Sequence, residues 1–241
     1  MKKINLLLSM IVKNEENRFL KQVLNAAKEY VDFILIIDDA STDDTVSECT
    51  EILADFPHKI IQNETSLFEN ETILRSYQWQ ESIKLGPEWI LVLDADEVFE
   101  NSITDQINDL LQTKKDAIYF RLYDFWNELE YREDEHWYAH QIYRPFMMRN
   151  KSDITYSFHN MAQHCGRLPA EIIHFPYLLS DIKLKHFGWS RACDRQEKFE
   201  RYLKLDPEGK FGNMAQYRSI LDKKPNLIPF EEVNDEENIS R

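Results

Sequence analysis

Apolar and polar residues succeed one another in blocks over the first hundred positions, and the blocks change period. Ile4–Val12 is an apolar run suited to a strand covered on both faces. From Glu15 to Tyr30 the apolar positions Phe19, Leu20, Val23, Leu24 and Ala27 take helical spacing. Val31–Ile37 predicts a second buried strand, and Thr42 or Asp43 can cap a helix carried by Val46, Ile52 and Leu53. A short strand over Lys59–Gln62 follows, then a helix over Ile73–Leu85 that Gly86-Pro87 terminates. Trp89–Leu93 is a fourth apolar strand. This β-α-β-α-β-α-β order predicts an α/β fold with a mostly parallel central sheet and helices on both faces.

The second half reads as irregular α+β. Ala117–Trp126 and Ile142–Met148 are strand-like, with the charged stretch Glu128–Glu135 between them. Glu171–Phe175 and Ile182–His186 predict short strands, and Arg191–Leu205 and Asn213–Leu221 predict helices. Pro225–Arg241 is an acidic tail expected to be loosely held. The implied division is 1–124, 125–224 and a tail, 225–241.

Composition narrows the function. Against 29 Lys+Arg stand 43 Asp+Glu, a formal charge of −14, which argues against covering the phosphates of a nucleic acid. The five glycines, at 86, 166, 188, 209 and 212, cannot build G-x-G-x-x-G or a P-loop. A phosphate held here needs another device, and in an acidic chain that device is a metal. No apolar run reaches the ~18 residues of a membrane helix. The start, Met1-Lys2-Lys3 before an apolar stretch, looks like a signal peptide but lacks a small-x-small cleavage site, so a buried first strand is the expectation. Cys49, Cys165 and Cys193 lack disulfide or zinc spacing and read as reduced thiols of a cytoplasmic protein.

Ligands of open α/β sheets bind beyond the carboxyl ends of the strands. Two such ends carry paired acids, Asp38/Asp39 and Asp94/Asp96. Alternate residues of a strand point the same way, so Asp94 and Asp96 are expected to converge. Two carboxylates about 4 Å apart repel by about 4 kcal/mol at an effective dielectric near 20. A divalent cation relieves that cost, and oxygen ligands suit Mg²⁺ or Mn²⁺.

Three segments together, Ser9-Met10-Ile11-Val12-Lys13-Asn14-Glu15-Glu16, Ile36 through Thr45, and Trp89 through Glu97, resemble family 2 glycosyltransferases of the GT-A (Rossmann-like) fold, bacterial type. Lys185-His186-Phe187-Gly188-Trp189 extends the resemblance. It implies a metal-dependent, inverting transfer of sugar from a nucleotide-sugar donor, most commonly UDP-linked, to an acceptor hydroxyl. Val12, Asn14 and Glu15 would line the nucleotide pocket. Asp39 would accept from the base, Arg75 would lie near the nucleotide or diphosphate, and Asp94 would touch the ribose or a metal-bound water. Asp96 would bind the metal, with His186 completing the coordination. Each has a plainer alternative: Arg75 as a solvated helix arginine, His186 as a core histidine, Glu15 as a helix-dipole partner.

The base that takes the acceptor proton is expected downstream. Glu128, Glu130, Glu133, Asp134 and Glu135 lie among Trp126, Trp137 and Tyr138, and aromatics beside acids suit a sugar ring; Asp134 is chosen. The family's Glu-Asp or Asp-Asp base motif is not evident. Arg144, Arg149, His159, His164 and Arg167 are left unassigned. Two rival classes fit some of the same residues. Asp94-Ala95-Asp96-Glu97-Val98 matches the nucleophile motif of haloacid-dehalogenase-type phosphotransferases, and the missing base motif fits a non-catalytic nucleotide-sugar binding module.

Overall fold

A computed structural model of the chain describes residues 3–160, 165–210 and 212–232. Its first strand, β1 (Leu6–Val12), splits its side chains as a two-residue period requires: Leu6, Leu8, Met10 and Val12 enter one apolar core, Leu7 the other. The same division runs through β2 (Phe33–Asp38) and β4 (Trp89–Val92). On the first face lie α1 (Leu20–Ala27), through Leu20, Val23 and Leu24, and α2 (Thr45–Ile52), through Cys49. The opposite face takes α3 (Glu71–Lys84), through Leu74 and Trp79. Helices on both faces are the reason these strands are apolar throughout.

α1 begins at Leu20, five residues later than the apolar spacing predicts. Asn14 and Asn17 adopt left-handed backbone, φ 55° and 57°, which a helix cannot contain. Residues 13–16 instead form a turn stitched to residues 41–45.

Among the described residues the main sheet has eight strands in the order β3-β2-β1-β4-β8-β6-β9-β5. They include β3 (His58–Gln62), β5 (Glu97–Phe99), β6 (Ala117–Asp124), β8 (Tyr143–Arg149) and β9 (Tyr177–His186). β3, β2, β1 and β4 are mutually parallel, as predicted. β8 then enters antiparallel between β4 and β6, and β9 runs parallel to β6 and antiparallel to β5. After β5, α4 (Ile103–Leu111) adds Ile103 and Ile107 to the first core.

Two expectations for the second half are corrected. Ala170–His174 is a 3₁₀ turn rather than a strand: Ile172 and Phe175 are buried three residues apart while Ile173 is exposed, a period of three. The beginning of the acidic tail is also not loose. β10 (Leu227–Pro229) pairs antiparallel with β7 (Glu130–Arg132), and Phe230 packs on Tyr123, Phe125 and Tyr131. The remainder of the tail, 233–241, lies outside the described residues.

β7 also anchors a third, aromatic cluster of Trp126, Trp137, Trp189 and Ile220, backed by α5 (Ala192–Leu205) and α6 (Met214–Ser219). Arg132 is 2% exposed at its centre, donating to Asp134 (2.6 Å), Asp222 (2.6 Å) and the Ser219 carbonyl (2.6 Å). Its guanidinium lies 4.6 Å from the Trp126 ring and 5.3 Å from that of Trp137. Arg132→Ala is expected to cost about 3 kcal/mol, the low end for breaking a buried pair, because Asp134 and Asp222 keep some solvent. Urea unfolding reads this directly, and a cost below about 0.5 kcal/mol, typical of surface positions, would show that Arg132 is peripheral.

Candidate active site

β1, β2 and β4 run parallel, so their carboxyl ends share one edge of the sheet, and the candidate residues gather there. Val12 is opposite Asp38 in register, but its side chain is 1% exposed and belongs to the core; only its carbonyl takes part, accepting from the Asp39 amide at 2.9 Å. Asn14 is likewise used in folding the edge. Its amide donates to the Ser41 hydroxyl (2.9 Å) and its side-chain oxygen accepts from the Thr42 amide (2.8 Å). The Glu15 amide donates to Thr45 Oγ1 at 2.7 Å. The turn after β2 needs these ties because Ala40 is left-handed, φ 60°.

Asp39 sits at the predicted place but is sealed, its side chain 0% exposed. It accepts from Asn63 Nδ2 (2.9 Å), Ser66 Oγ (2.5 Å) and the Leu67 amide (2.8 Å), with the Lys13 ammonium 3.8 Å away. Burial pushes the carboxyl's pKa up; the Leu67, Ser66 and Asn63 hydrogen bonds, then Lys13, outweigh it and hold the pKa below the usual range. In this arrangement Asn63, Ser66 and Leu67 take up both oxygens of the carboxylate.

The two acids after β4 are neutralised separately. β4 ends at Val92, so Asp94–Asp96 lie in a turn leading to β5 and the alternate-residue rule of a strand does not govern them. Asp94 accepts from Arg75 Nη2 at 3.0 Å and lies 3.6 Å from Arg167 Nη2. Against the cost of burial, Arg167 and then Arg75 hold its carboxyl below the ordinary range. Arg167 grips Glu97 with both terminal nitrogens (2.6 and 2.8 Å), and Glu97 in turn accepts the Asp94 amide at 2.9 Å. Arg167 was among the basic residues without an assigned role. Of the others, Arg149 is engaged by Glu88 and Asp116, and His164 lies outside the described residues.

Asp96 faces Lys198 Nζ (3.3 Å) and His186 Nε2 (3.5 Å). Despite burial, Lys198 and then His186 drive its pKa far down. His186 ends β9, in register with Asp124 of β6 and Glu97 of β5, and its Nδ1 lies 2.7 Å from Asp124 Oδ1. Burial lowers the His186 pKa, but Asp96 and the Asp124 hydrogen bond more than reverse this and push it up to about 10. Glu15 joins the cluster: burial, then the Asp96 charge, raise its pKa to about 7 against Arg18 and Lys198. Gly188 completes it by being small, since a Cβ there would meet Lys198 Nζ, Asp96 Oδ2 and His186 Nε2.

Sequence reasoning missed Lys198, Asp124, Glu97 and the use of Gly188. One signal was present: Asp194, Lys198 and Tyr202 recur every four residues on α5 and so share a face. Asp134, the residue chosen as base, accepts from Arg132 Nε and from the His136 amide (2.9 Å), closing its own turn in the aromatic cluster.

Three His, Cys, Asp or Glu side chains gathered closely enough to hold a metal unaided do not occur among the described residues. The donors nevertheless fit an ion that takes its remaining ligands from phosphate, as Mg²⁺ commonly does. Asp96 and His186 Nε2 face one another, Asp124 fixes the imidazole from behind, and Gly188 keeps the space clear. No helix of the described residues is long and apolar enough to cross a membrane.

The parallel half-sheet with acids at its carboxyl edge, joined to a mixed half, defines a GT-A fold. The S. aureus TarS crystal structure superposes with a TM-score of 0.53 at 13% identity, over 90% of this chain and 42% of that one. A TarS 1–349 structure in complex with UDP gives 0.53 at 13% identity, covering 90% and 69%. Residues 8–169 match the profile of Glycosyl transferase family 2, and the chain belongs to that family. Among curated proteins, the uncharacterized protein Rv3786c of Mycobacterium tuberculosis is 27% identical over 237 residues, spanning 89% of this chain and 54% of the relative. The chain thus spans about half the length of the curated relatives it matches.

The His186 imidazolium has a raised folded-state pKa, so its contribution to stability is full below the unfolded value near 6.5 and is lost as pH rises through about 10. Asp124→Asn is expected to lower the His186 pKa and flatten that alkaline limb. Titration of the His186 ring resonances by NMR checks it; an unmoved pKa would remove Asp124 from the cluster.

Proposed function

We propose that the chain is the catalytic domain of a glycosyltransferase that binds a nucleotide-sugar donor, UDP-linked, at the carboxyl edge of β1, β2 and β4 and passes its sugar to an acceptor hydroxyl with inversion. The proposal takes residues 1–124 as the donor half and 125–224 as the acceptor half. The observation that carries it is the Asp96–His186–Lys198 cluster around Gly188, set at the strand ends of a family 2 fold. The UDP and UDP-GlcNAc complexes of TarS 1–349 favour a uridine donor.

Asp96 and His186 would hold Mn²⁺ or Mg²⁺, which as a Lewis acid stabilises charge on the departing diphosphate. Arg75, already on Asp94, and Lys198, already on Asp96, are cations positioned for the diphosphate, so charge is neutralised by side chains where a glycine loop is lacking. Arg167 and Glu97 orient Asp94 and do not react. For the nucleobase to reach Asp39, the 63–67 loop must release it. Asn14 and Glu15 remain at the mouth of that pocket; Val12 contributes only backbone.

With Asp134 committed to Arg132, a non-catalytic nucleotide-sugar binding module is the second reading. Donor hydrolysis by water separates them, since an enzyme turns the donor over slowly without acceptor and a module does not. The phosphotransferase reading has no such support: the family match and fold run against it, and Asp94 lies between two arginines at the end of the fourth strand.

A thermal-shift panel of nucleoside diphosphates and nucleotide sugars, with and without Mn²⁺, is expected to give its largest Mn²⁺-dependent stabilisation with a uridine nucleotide. Asp96→Ala should erase the Mn²⁺-dependent part and lower any transfer by about 10³-fold, near 4 kcal/mol. Undiminished Mn²⁺-dependent binding in that variant would falsify the site assignment. Gly188→Ala should fold and lose the same binding, because its methyl group occupies the space between Asp96 and His186.

A further inference from the structure

The face that α3 turns to β1 is not wholly apolar. Arg75, Gln78 and Ser82 share it at spacings of three and four residues, a polar stripe leading from the core to the edge of the sheet where Asp94 stands. Its inner end is anchored: Ser82 Oγ donates to the Gln78 carbonyl (2.7 Å) and lies 2.8 Å from Ser9 Oγ of β1. At its outer end Arg75 donates from Nη2 to Asp94 (3.0 Å) and from Nη1 to Gln78 Oε1 (3.1 Å). Gln78 stands between the two ends, 2% exposed.

As core filling, the Gln78 amide is unfavourable. Arg75 offers only donors, so the bond to it requires the amide oxygen and turns Nε2 away, and that nitrogen has no acceptor among the described residues. A buried N–H without a partner lowers stability in a way that an apolar side chain of the same length would not. What the amide contributes is direction. The guanidinium is planar, and holding Nη1 on Gln78 while Nη2 sits on Asp94 fixes its plane and its tilt together. Two of its five N–H groups are used in this way, and the Arg75 side chain remains 17% exposed beside Asp94. The neutrality of the amide matters as well. A carboxylate at position 78 would place a second acid on Arg75 and cancel its charge, whereas an amide orients the cation and leaves that charge in place.

We propose that Gln78 is a positioning residue for nucleotide binding: it aims Arg75 at the donor diphosphate with its positive charge uncancelled, and does so at the expense of fold stability. This rests on the donor reading given above.

The test titrates the full chain with UDP in the presence of Mn²⁺ by calorimetry, for wild type, Gln78→Met, Gln78→Glu, Arg75→Ala and the double variant Gln78→Met/Arg75→Ala, with thermal unfolding midpoints measured alongside. Gln78→Met keeps the length of the side chain and removes the unpartnered N–H, so its midpoint is expected to equal or exceed that of wild type. Its UDP affinity should nevertheless fall at least about threefold, and that of Gln78→Glu at least about tenfold. In the Arg75→Ala background, Gln78→Met should change UDP affinity by less than about twofold, because the group it positions is gone. A merely structural glutamine would instead lower the midpoint and leave the two substitutions additive. UDP affinity within about twofold of wild type in either folded Gln78 variant, or an equal loss when Arg75 is already alanine, would overturn the positioning role and leave the donor reading intact. Absence of UDP binding by the wild-type chain removes the donor reading, and the positioning role with it.

Discussion

The strand-end site depends on the ion pair between Glu97 and Arg167. Glu97 is 1% exposed and follows β4 by a single turn, so its charge must be met inside the protein. Arg167 meets it bidentately, reaches the Val92 carbonyl at 3.3 Å, and stacks 4.2 Å from the Phe146 ring of β8. The same carboxylate takes the Asp94 amide. One pair thus joins the end of β4, the start of β5, the middle of β8 and the segment at 167, and fixes the turn from which Asp94 and Asp96 project. Leaving either partner alone would bury an uncompensated charge beneath the site.

Around that pair, the electrostatics reverse the character of the chain. The protein carries excess negative charge, yet the strand-end acids are faced by Arg75, Arg167, Lys198 and the His186 imidazolium. The like-charge repulsion expected between Asp94 and Asp96 is relieved by side chains before any metal arrives. On the proposed function, a divalent ion at Asp96 would compete with Lys198 and with the proton on His186, while a diphosphate would offer those displaced cations a partner, so that ion and nucleotide would be favoured together more than either alone.

The parallel half of the fold was legible because its strands are buried on both faces and its helices carry a strong period. Asp39, Asp94, Asp96, Arg75 and His186 were singled out because strand ends and the family's linked segments point to them, and the structure places Asp94 beside Arg75 and Asp96 beside His186. What was not legible depends on distant pairing. Lys198 and Arg167 meet Asp96 and Glu97 across 102 and 70 residues, and no local pattern reports such contacts. The partner of Asp134 was hidden for a related reason: Arg132 meets it only because the guanidinium is held between Trp126 and Trp137.

The sheet order places β9 between β6 and β5, so the last long strand to emerge during synthesis docks between elements made about 60 to 90 residues earlier. Contacts of such sequence separation form late and slow the folding of the whole domain. His186 stands at the very end of that strand. A chain in which β9 has not yet zipped up carries Asp96 without its imidazole, so the Asp96–His186–Asp124 cluster is completed only by the step that closes the sheet.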